Sequence, residues 1–412
     1  MKILFLVHRI PYPPNKGEKI RAFQELRFLA ARHTIDLFCF ADSTEEADQQ
    51  WHLRDLCRRM YVEKRGSISA KLRMAQSLWR GAPLSNGYFY SAKLRTEVRN
   101  ALAAERYDLI FVYCSSMAQY LPMPAPAPVV IDFVDVDSAK WAQYARLSRF
   151  PMSWLYSREA RLMTKAEEQA ARTSSVSIVT TRQEALLLNP ERKHRVEVVG
   201  NGVAQPPISI NAHLPGPIAK LQPYILFVGQ MDYRPNVDAV TFFVDEIFPS
   251  IRNKHPEVRF VIAGRNPTSD VKRLAKKPGV VVTGAVPDVH PYLMGSSVVV
   301  APFRISQGVQ NKILEALAVG KPVVSTSRPA EAIDAVHGET LLIADSPEEF
   351  AQSVSDLLGS SELRGRFERG SEFVRQKFDW QTNLARLEKL CEQCARQRQE
   401  QKSGDSGRVE AN

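Results

Sequence analysis

Short, almost continuous apolar runs recur along this chain of 412 residues, with longer amphipathic stretches between them, and the whole pattern occurs twice. In the first half the runs lie at residues 3–7, 35–40, 109–113, 129–133 and 176–180. Helical periodicity fills the intervals, as at 19–32 and 95–105. Strands that are apolar on both faces and alternate with helices predict a parallel sheet covered on each side. The pattern pauses over 201–222, where Asn201-Gly202, Pro206-Pro207 and Pro215-Gly216-Pro217 mark a linker. It restarts with runs at 224–228, 258–263, 280–283, 298–301, 322–325 and 341–343. The expected fold class is therefore α/β, with two doubly wound, Rossmann-like parallel-sheet domains facing a cleft. The domains span 1–200 and 223–378, followed by a C-terminal helix at 379–396. The polar segment 397–412 reads as a disordered tail.

The chain carries 55 Lys+Arg against 45 Asp+Glu, a net charge of +10. A bulk excess of this sign suggests nucleic acid, but its distribution points elsewhere. Residues 1–200 hold 30 basic and 21 acidic side chains, and 51–100 alone hold 11 and 3. One basic patch implies one local anionic partner. The five cysteines contain a single close pair, Cys391 and Cys394, without the further ligands a zinc site needs. They read as two cysteines of a terminal helix in a reducing compartment. The apolar run near Met1 is too short for a signal peptide, and no stretch approaches the length of a membrane span. The expected location is cytoplasmic, with at most peripheral contact at the inner membrane.

In open α/β sheets, ligands bind beyond the carboxyl ends of the strands. In the second domain those ends carry Gly229 to Asn236, Gly264-Arg265, and Arg304 to Gly308. A helix is expected to begin near Gly308 and to carry Lys312 and Glu315 on the face of Gly308. Arg234, Arg265, Arg304 and Lys312 then meet on one rim, as a diphosphate requires: cations, backbone N–H groups and a helix N-terminus. Gly308 admits an anion close to the backbone. Lys312 neutralises phosphate, and Glu315 accepts hydrogen bonds from a vicinal diol such as a ribose. Neither a Gly-x-Gly-x-x-Gly nor a P-loop pattern is present, which removes the main support for dinucleotide or P-loop binding.

The run from Gly308 to Thr326, with Asn311-Lys312-Ile313-Leu314-Glu315 and Gly320-Lys321-Pro322-Val323-Val324, resembles the donor-site helix of retaining family-4 glycosyltransferases of the GT-B fold. Gly200-Asn201-Gly202-Val203 is similar to that family's hinge, and residues 284–288, with Val286, to its base-binding loop. The Pro-Tyr-Pro-Pro-Asn-Lys-Gly segment at 11–17 and the segment 229–239 resemble one subgroup. Its members are the bacterial sugar transferases associated with exopolysaccharide and exosortase (PEP-CTERM) systems. The resemblance implies Glu315 as ribose ligand. It implies Gly229, Arg234, Asn236, Gly264, Arg265, Val286, Arg304, Gln307 and Gly308 as the rest of the donor site. Three positions depart from the family pattern. Gln307 stands where the first Glu of Glu-x7-Glu falls. Gln230 stands where an Arg is usual. Asp132, Asp135 and Asp137 follow the 129–131 strand where the family has a His.

In the first domain, prolines extend the loop before Lys16-Gly17, which open a helix and are expected to reach the donor phosphates or the acceptor. Among the three aspartates, Asp137 is expected to cap the next helix. Asp135 is left to position or deprotonate an acceptor hydroxyl. A metal-binding Asp-x-Asp is the competing reading, but the cations of the second domain already answer a diphosphate, so no metal and no cofactor are expected. Residues 64–80 and 139–163 mix Arg and Lys with Trp, Tyr, Phe and Leu, a composition suited either to an anionic membrane surface or to a solvated face over packed aromatics. The expected protein is a retaining transferase, with Asp135 and Lys312 as its catalytic groups. Its partners are a nucleotide-diphosphate sugar, a lipid-linked or glycan acceptor and an anionic membrane surface, rather than nucleic acid. A non-catalytic GT-B-like protein and a basic nucleic-acid-binding protein are the alternatives.

Overall fold

The computed structural model describes residues 1–204 and 215–409. The chain divides into two compact units, residues 1–200 with the C-terminal helix from Trp380, and residues 201–379. The central part of the expected linker, 205–214, lies outside the described residues, as does the end of the tail at 410–412.

The first unit holds seven strands: β1 (Lys2–Val7), β2 (Thr34–Ala41), β3 (Arg59–Lys64), β4 (Leu109–Tyr113), β5 (Val129–Val134), β6 (Val176–Val179) and β7 (Val196–Val198). They pair in the order β3-β2-β1-β4-β5-β6-β7, all parallel. The second unit holds β8 (Tyr224–Val228), β9 (Arg259–Ala263), β10 (Val280–Gly284), β11 (Val298–Ala301), β12 (Val323–Ser325) and β13 (Leu342–Ile343). Their order is β10-β9-β8-β11-β12-β13, again all parallel. Both sheets are doubly wound, so each has one topological switch point, between β1 and β4 and between β8 and β11. The apolar runs explain the central strands: β4 and β8 are buried along their whole length. The two strands that no apolar run announces, β3 and β7, are the edges of the first sheet, where half-exposed positions allow Arg59, Glu63 and Glu197.

The C-terminal helix, Trp380–Val409, packs on the first unit. Leu384, Leu387, Cys391 and Cys394 recur at i, i+3, i+7 and i+10 and join the core beneath β1 and β4. Polar contacts fix its register: Glu388 lies 2.9 Å from Arg32 and 3.1 Å from His33 Nε2. The helix continues to Val409, so the backbone differs from the unstructured tail expected from residue 397.

Candidate donor and acceptor sites

The switch point of the second unit is built from Gly229, after β8, and from the loop and helix that follow β11. Gly229 donates its N–H to the carbonyl of Ala263 at 3.0 Å, which extends the β8–β9 pairing past the strand end. A Cβ on Gly229 would come within 2.7 Å of the Asn236 side-chain nitrogen and 3.2 Å of Lys312 Nζ. Gly264, at the end of β9, is packed more tightly still, since a Cβ there would overlap the Gly229 carbonyl. Two glycines at adjacent strand ends thus leave bare backbone beside a lysine.

Asn236 lies in the helix Arg234–Phe242 and is 5% exposed. Its side-chain nitrogen donates to the Gln230 carbonyl at 2.9 Å, which turns its oxygen to accept from Lys312 Nζ at 2.7 Å. The Lys312 ammonium also lies 4.5 Å from the ring centres of both Phe227 and Phe303. Burial in this apolar cage pulls its pKa down to about 7, against the opposing effect of Glu315. Glu315 is displaced in the other direction: burial raises its carboxyl, and Lys312 opposes the rise. The Glu315 carboxylate has no hydrogen-bond partner among the described residues. A buried lysine held near neutrality and a desolvated carboxylate lie one turn apart on one helix, an arrangement more common at functional sites than in structural cores.

The helix begins three residues later than expected. Gly308 has φ of +62°, a left-handed conformation that a helix does not accommodate, and the helix runs Asn311–Ala318. Gly308 is therefore a turn residue ahead of the helix. Lys312 and Glu315 occupy its second and fifth positions, and only these two share a helical face. Gln307 lies partly buried in the same turn, where its carbonyl accepts from Gln310 at 3.4 Å.

The arginines expected on the rim are placed differently from one another. Arg304 forms a two-pronged pair with Asp238, at 2.6 and 3.1 Å, and lies 4.8 Å from the ring centre of Phe242. Its charge is thus answered within the unit, and Asp238 raises its pKa further. Arg234 is half-buried at the start of its helix, and Arg265 is exposed after β9, where its carbonyl accepts from Met231 at 2.9 Å. Val286 is partly exposed in the loop after β10, two residues past Gly284, whose φ of +70° makes the turn.

In the first unit, Lys16 is the residue preceding the helix Gly17–Ala30, and both residues reach the surface. Asp135 sits in the turn between β5 and the helix Asp137–Arg146. That turn is shaped by carboxylates distant in sequence. Glu184 accepts from Val136 N–H at 3.1 Å and from the Thr180 hydroxyl at 2.9 Å, and Glu167 accepts from Ser138 N–H at 3.1 Å. Burial pushes Glu167 up to about 8, with Asp137 adding to the effect. Asp135 is raised well above the usual carboxylate range, first by burial and then by Glu184. Val134, just before it, has φ of +63°, which for a β-branched residue is strained backbone held by its surroundings.

The other two aspartates are structural. Asp132 is fully buried and accepts from Arg21 at 2.7 Å, and Glu25 lies 3.1 Å from the same guanidinium. Asp137 opens the helix rather than capping it, because the cap position falls on Val136 and Asp137 pairs with Lys140 inside the first turn. Nothing in the local sequence marks Glu167 and Glu184 as the supports of this turn. They come from helices 29 and 48 residues away from the N–H groups they accept.

Residues 222–360 match the family described as Glycosyl transferases group 1. They fall within the second unit and include Gly229, Asn236, Lys312 and Glu315. The chain is 21% identical over 408 residues to an uncharacterized 44.6 kDa protein in the cps region of Klebsiella pneumoniae, covering 92% of this chain and 96% of that one. Among solved structures it is similar to sucrose-phosphate synthase from Thermosynechococcus elongatus, with a TM-score of 0.70, 16% identity, and coverage of 95% and 98% of the two chains. It is also similar to Anabaena Alr3699/HepE in complex with UDP and glucose, with a TM-score of 0.66, 15% identity, and coverage of 95% and 100%. The fold of the two sheets is GT-B.

Proposed function

We propose that this chain is a retaining glycosyltransferase that moves a sugar from a nucleotide-diphosphate sugar to a lipid-linked or glycan acceptor, at the cytoplasmic face of the membrane, in bacterial exopolysaccharide synthesis. The observation that carries the reading is the Lys312 cage. A buried ammonium, oriented by Asn236 and facing the bare backbone of Gly229, suits a diphosphate placed at the β8–β11 switch point. The similarity to a protein of a cps region and to one solved with UDP and glucose supports the polysaccharide and nucleotide-sugar parts.

In this reading the bond between the anomeric carbon and the diphosphate oxygen breaks, and its electron pair leaves on the diphosphate. Lys312, protonated once phosphate is beside it, stabilises that charge as it develops. Arg234 and Arg265 add positive field around it, while Arg304, its charge answered by Asp238, lines the site as a fixed hydrogen-bond donor. Gly264 and Gly308 keep the backbone open, Glu315 accepts from the ribose hydroxyls, Val286 lies against the base, and Gln307 contacts the sugar. The acceptor hydroxyl attacks on the face from which the diphosphate departs, which retains configuration, and passes its proton to the ionised carboxylate of Asp135. Lys16 and Gly17 serve the phosphate or the acceptor. The phosphate charge is met by side chains and backbone, so no divalent metal is required.

The test is turnover. The purified chain is incubated with UDP-, GDP- and ADP-sugars and a membrane extract as acceptor source, with release of the nucleoside diphosphate and the anomeric configuration of the product read by NMR. Release from one donor with retention is expected. No release from any donor, or inversion, contradicts the reading.

A further inference from the structure

The helix Ser67–Trp79 is built the reverse way to an ordinary surface helix. Ile68, Leu72, Ala75 and Trp79 recur at i, i+4, i+7 and i+11 and form a single apolar stripe. All four are exposed, Ile68 at 76% and Trp79 at 90%. The side that packs inward carries Ala70 and Ser77 instead. Helices of globular proteins bury their apolar stripe, so an apolar stripe turned outward awaits a partner.

A second apolar group adjoins it. In the turn after the helix Asp137–Arg146 and at the start of the helix Met152–Thr173, Leu147, Phe150, Met152 and Trp154 are exposed, Phe150 at 81%. Arg158, one turn past Trp154, ties this region to the end of the first helix, donating to the carbonyls of Ser77, Leu78 and Ala82 at 3.3, 3.1 and 3.3 Å. Glu159 accepts from the N–H groups of Leu84 and Ser85 at 2.8 and 2.9 Å. Eight of the fourteen large apolar residues exposed among the described residues lie in these two segments.

The charge around them has one sign. No Asp or Glu occurs from residue 64 to 96 or from 138 to 158, while the two stretches contain eleven Lys and Arg. Lys71, Arg80, Arg146 and Arg149 are exposed and form no ion pair among the described residues. A nucleic acid would use these cations but leave Ile68, Leu72 and Trp79 in water. A bilayer with acidic headgroups takes both.

We propose that this face of the first unit docks on an anionic bilayer. Ile68, Leu72, Trp79, Phe150 and Trp154 enter the headgroup–acyl boundary, and Lys71, Arg80, Arg146 and Arg149 lie against lipid phosphates. The docking deepens the lipid-linked-acceptor reading by giving it a membrane-facing surface, and it is measured without turnover.

The experiment is co-sedimentation of the full chain with phosphatidylcholine vesicles, with and without phosphatidylglycerol, alongside quenching of tryptophan fluorescence by brominated lipid. The wild type is expected to bind the anionic vesicles at least about tenfold more tightly than the neutral ones. The variants I68S/L72S/W79S and F150S/W154S are each expected to lose about tenfold in that binding. Circular dichroism unchanged from wild type shows that they fold, as substitutions at exposed positions should. Wild-type protein that stays in solution with anionic vesicles overturns the proposal. So do variants that bind as the wild type does, and binding to duplex DNA in place of vesicles. Vesicle binding by a preparation without transferase activity supports the docking and counts against the enzymatic reading.

Discussion

Lys312→Met is expected to change stability in opposite directions at low and high pH. Lys312 is held at about pH 7 in the folded chain against an ordinary 10.5, so keeping its charge inside costs roughly 5 kcal/mol below that pH. Methionine fills a similar volume with no charge, while Asn236 loses the partner of its side-chain oxygen, at a cost of about 1–3 kcal/mol. At about pH 6, where the lysine is charged in both states, the variant is therefore expected to be more stable by roughly 2–4 kcal/mol. Between about pH 7 and 10 the unfolded chain holds a proton at this site that the folded chain does not, so wild-type stability rises with pH there. At about pH 10.5 less than about 0.5 kcal/mol of that charge cost remains, so the lost hydrogen bond decides and the variant is expected to be less stable by about 1–2.5 kcal/mol. Urea denaturation followed by circular dichroism at the two pH values measures this. All five tryptophans, Trp51, Trp79, Trp141, Trp154 and Trp380, belong to the first unit, so their fluorescence reports that unit separately and is expected not to change. A variant less stable than wild type at both pH values, by the same margin, refutes the buried-ammonium argument.

Two other substitutions test the surroundings. Asp135→Asn is expected to lower turnover by about tenfold or more with donor affinity nearly unchanged; wild-type turnover removes Asp135 from the chemistry. Because its carboxyl is raised by burial and by Glu184, wild-type turnover is expected to climb with pH as that proton is lost. Gly264→Ala places a methyl group against the Gly229 carbonyl and is expected to cost about 2 kcal/mol or more of stability along with donor binding. A thermal midpoint equal to wild type contradicts the close approach of β8 and β9 at their ends.

The central strands of both sheets were legible in the sequence because they are buried on two faces and leave continuous apolar runs. The edge strands β3 and β7 were not, since edge positions tolerate Arg59, Glu63 and Glu197. The candidate donor-side residues were legible as residue types at strand ends, but not the way they are engaged. That Asn236 orients Lys312 follows from a hydrogen bond across 76 positions, and that Arg304 is tied to Asp238 from one across 66. The start of the helix at Asn311 was hidden because Gly308 fits a helical phase by spacing, while its φ of +62° takes it out of the helix. The apolar stripe of Ser67–Trp79 was visible as a composition, but its outward orientation depends on Ala70 and Ser77 being the side that packs.

Calorimetric titration of the wild type and of Glu315→Ala with UDP, GDP and ADP tests the central claim most directly. Glu315 carries no hydrogen bond among the described residues, and its carboxylate is already desolvated, so its removal spares the fold while depriving a ribose of its acceptor. One nucleoside diphosphate is expected to bind the wild type, and the variant is expected to bind it at least about tenfold more weakly with an unchanged circular dichroism spectrum. Equal affinity in the two proteins, or no binding of any of the three to the wild type, contradicts the account.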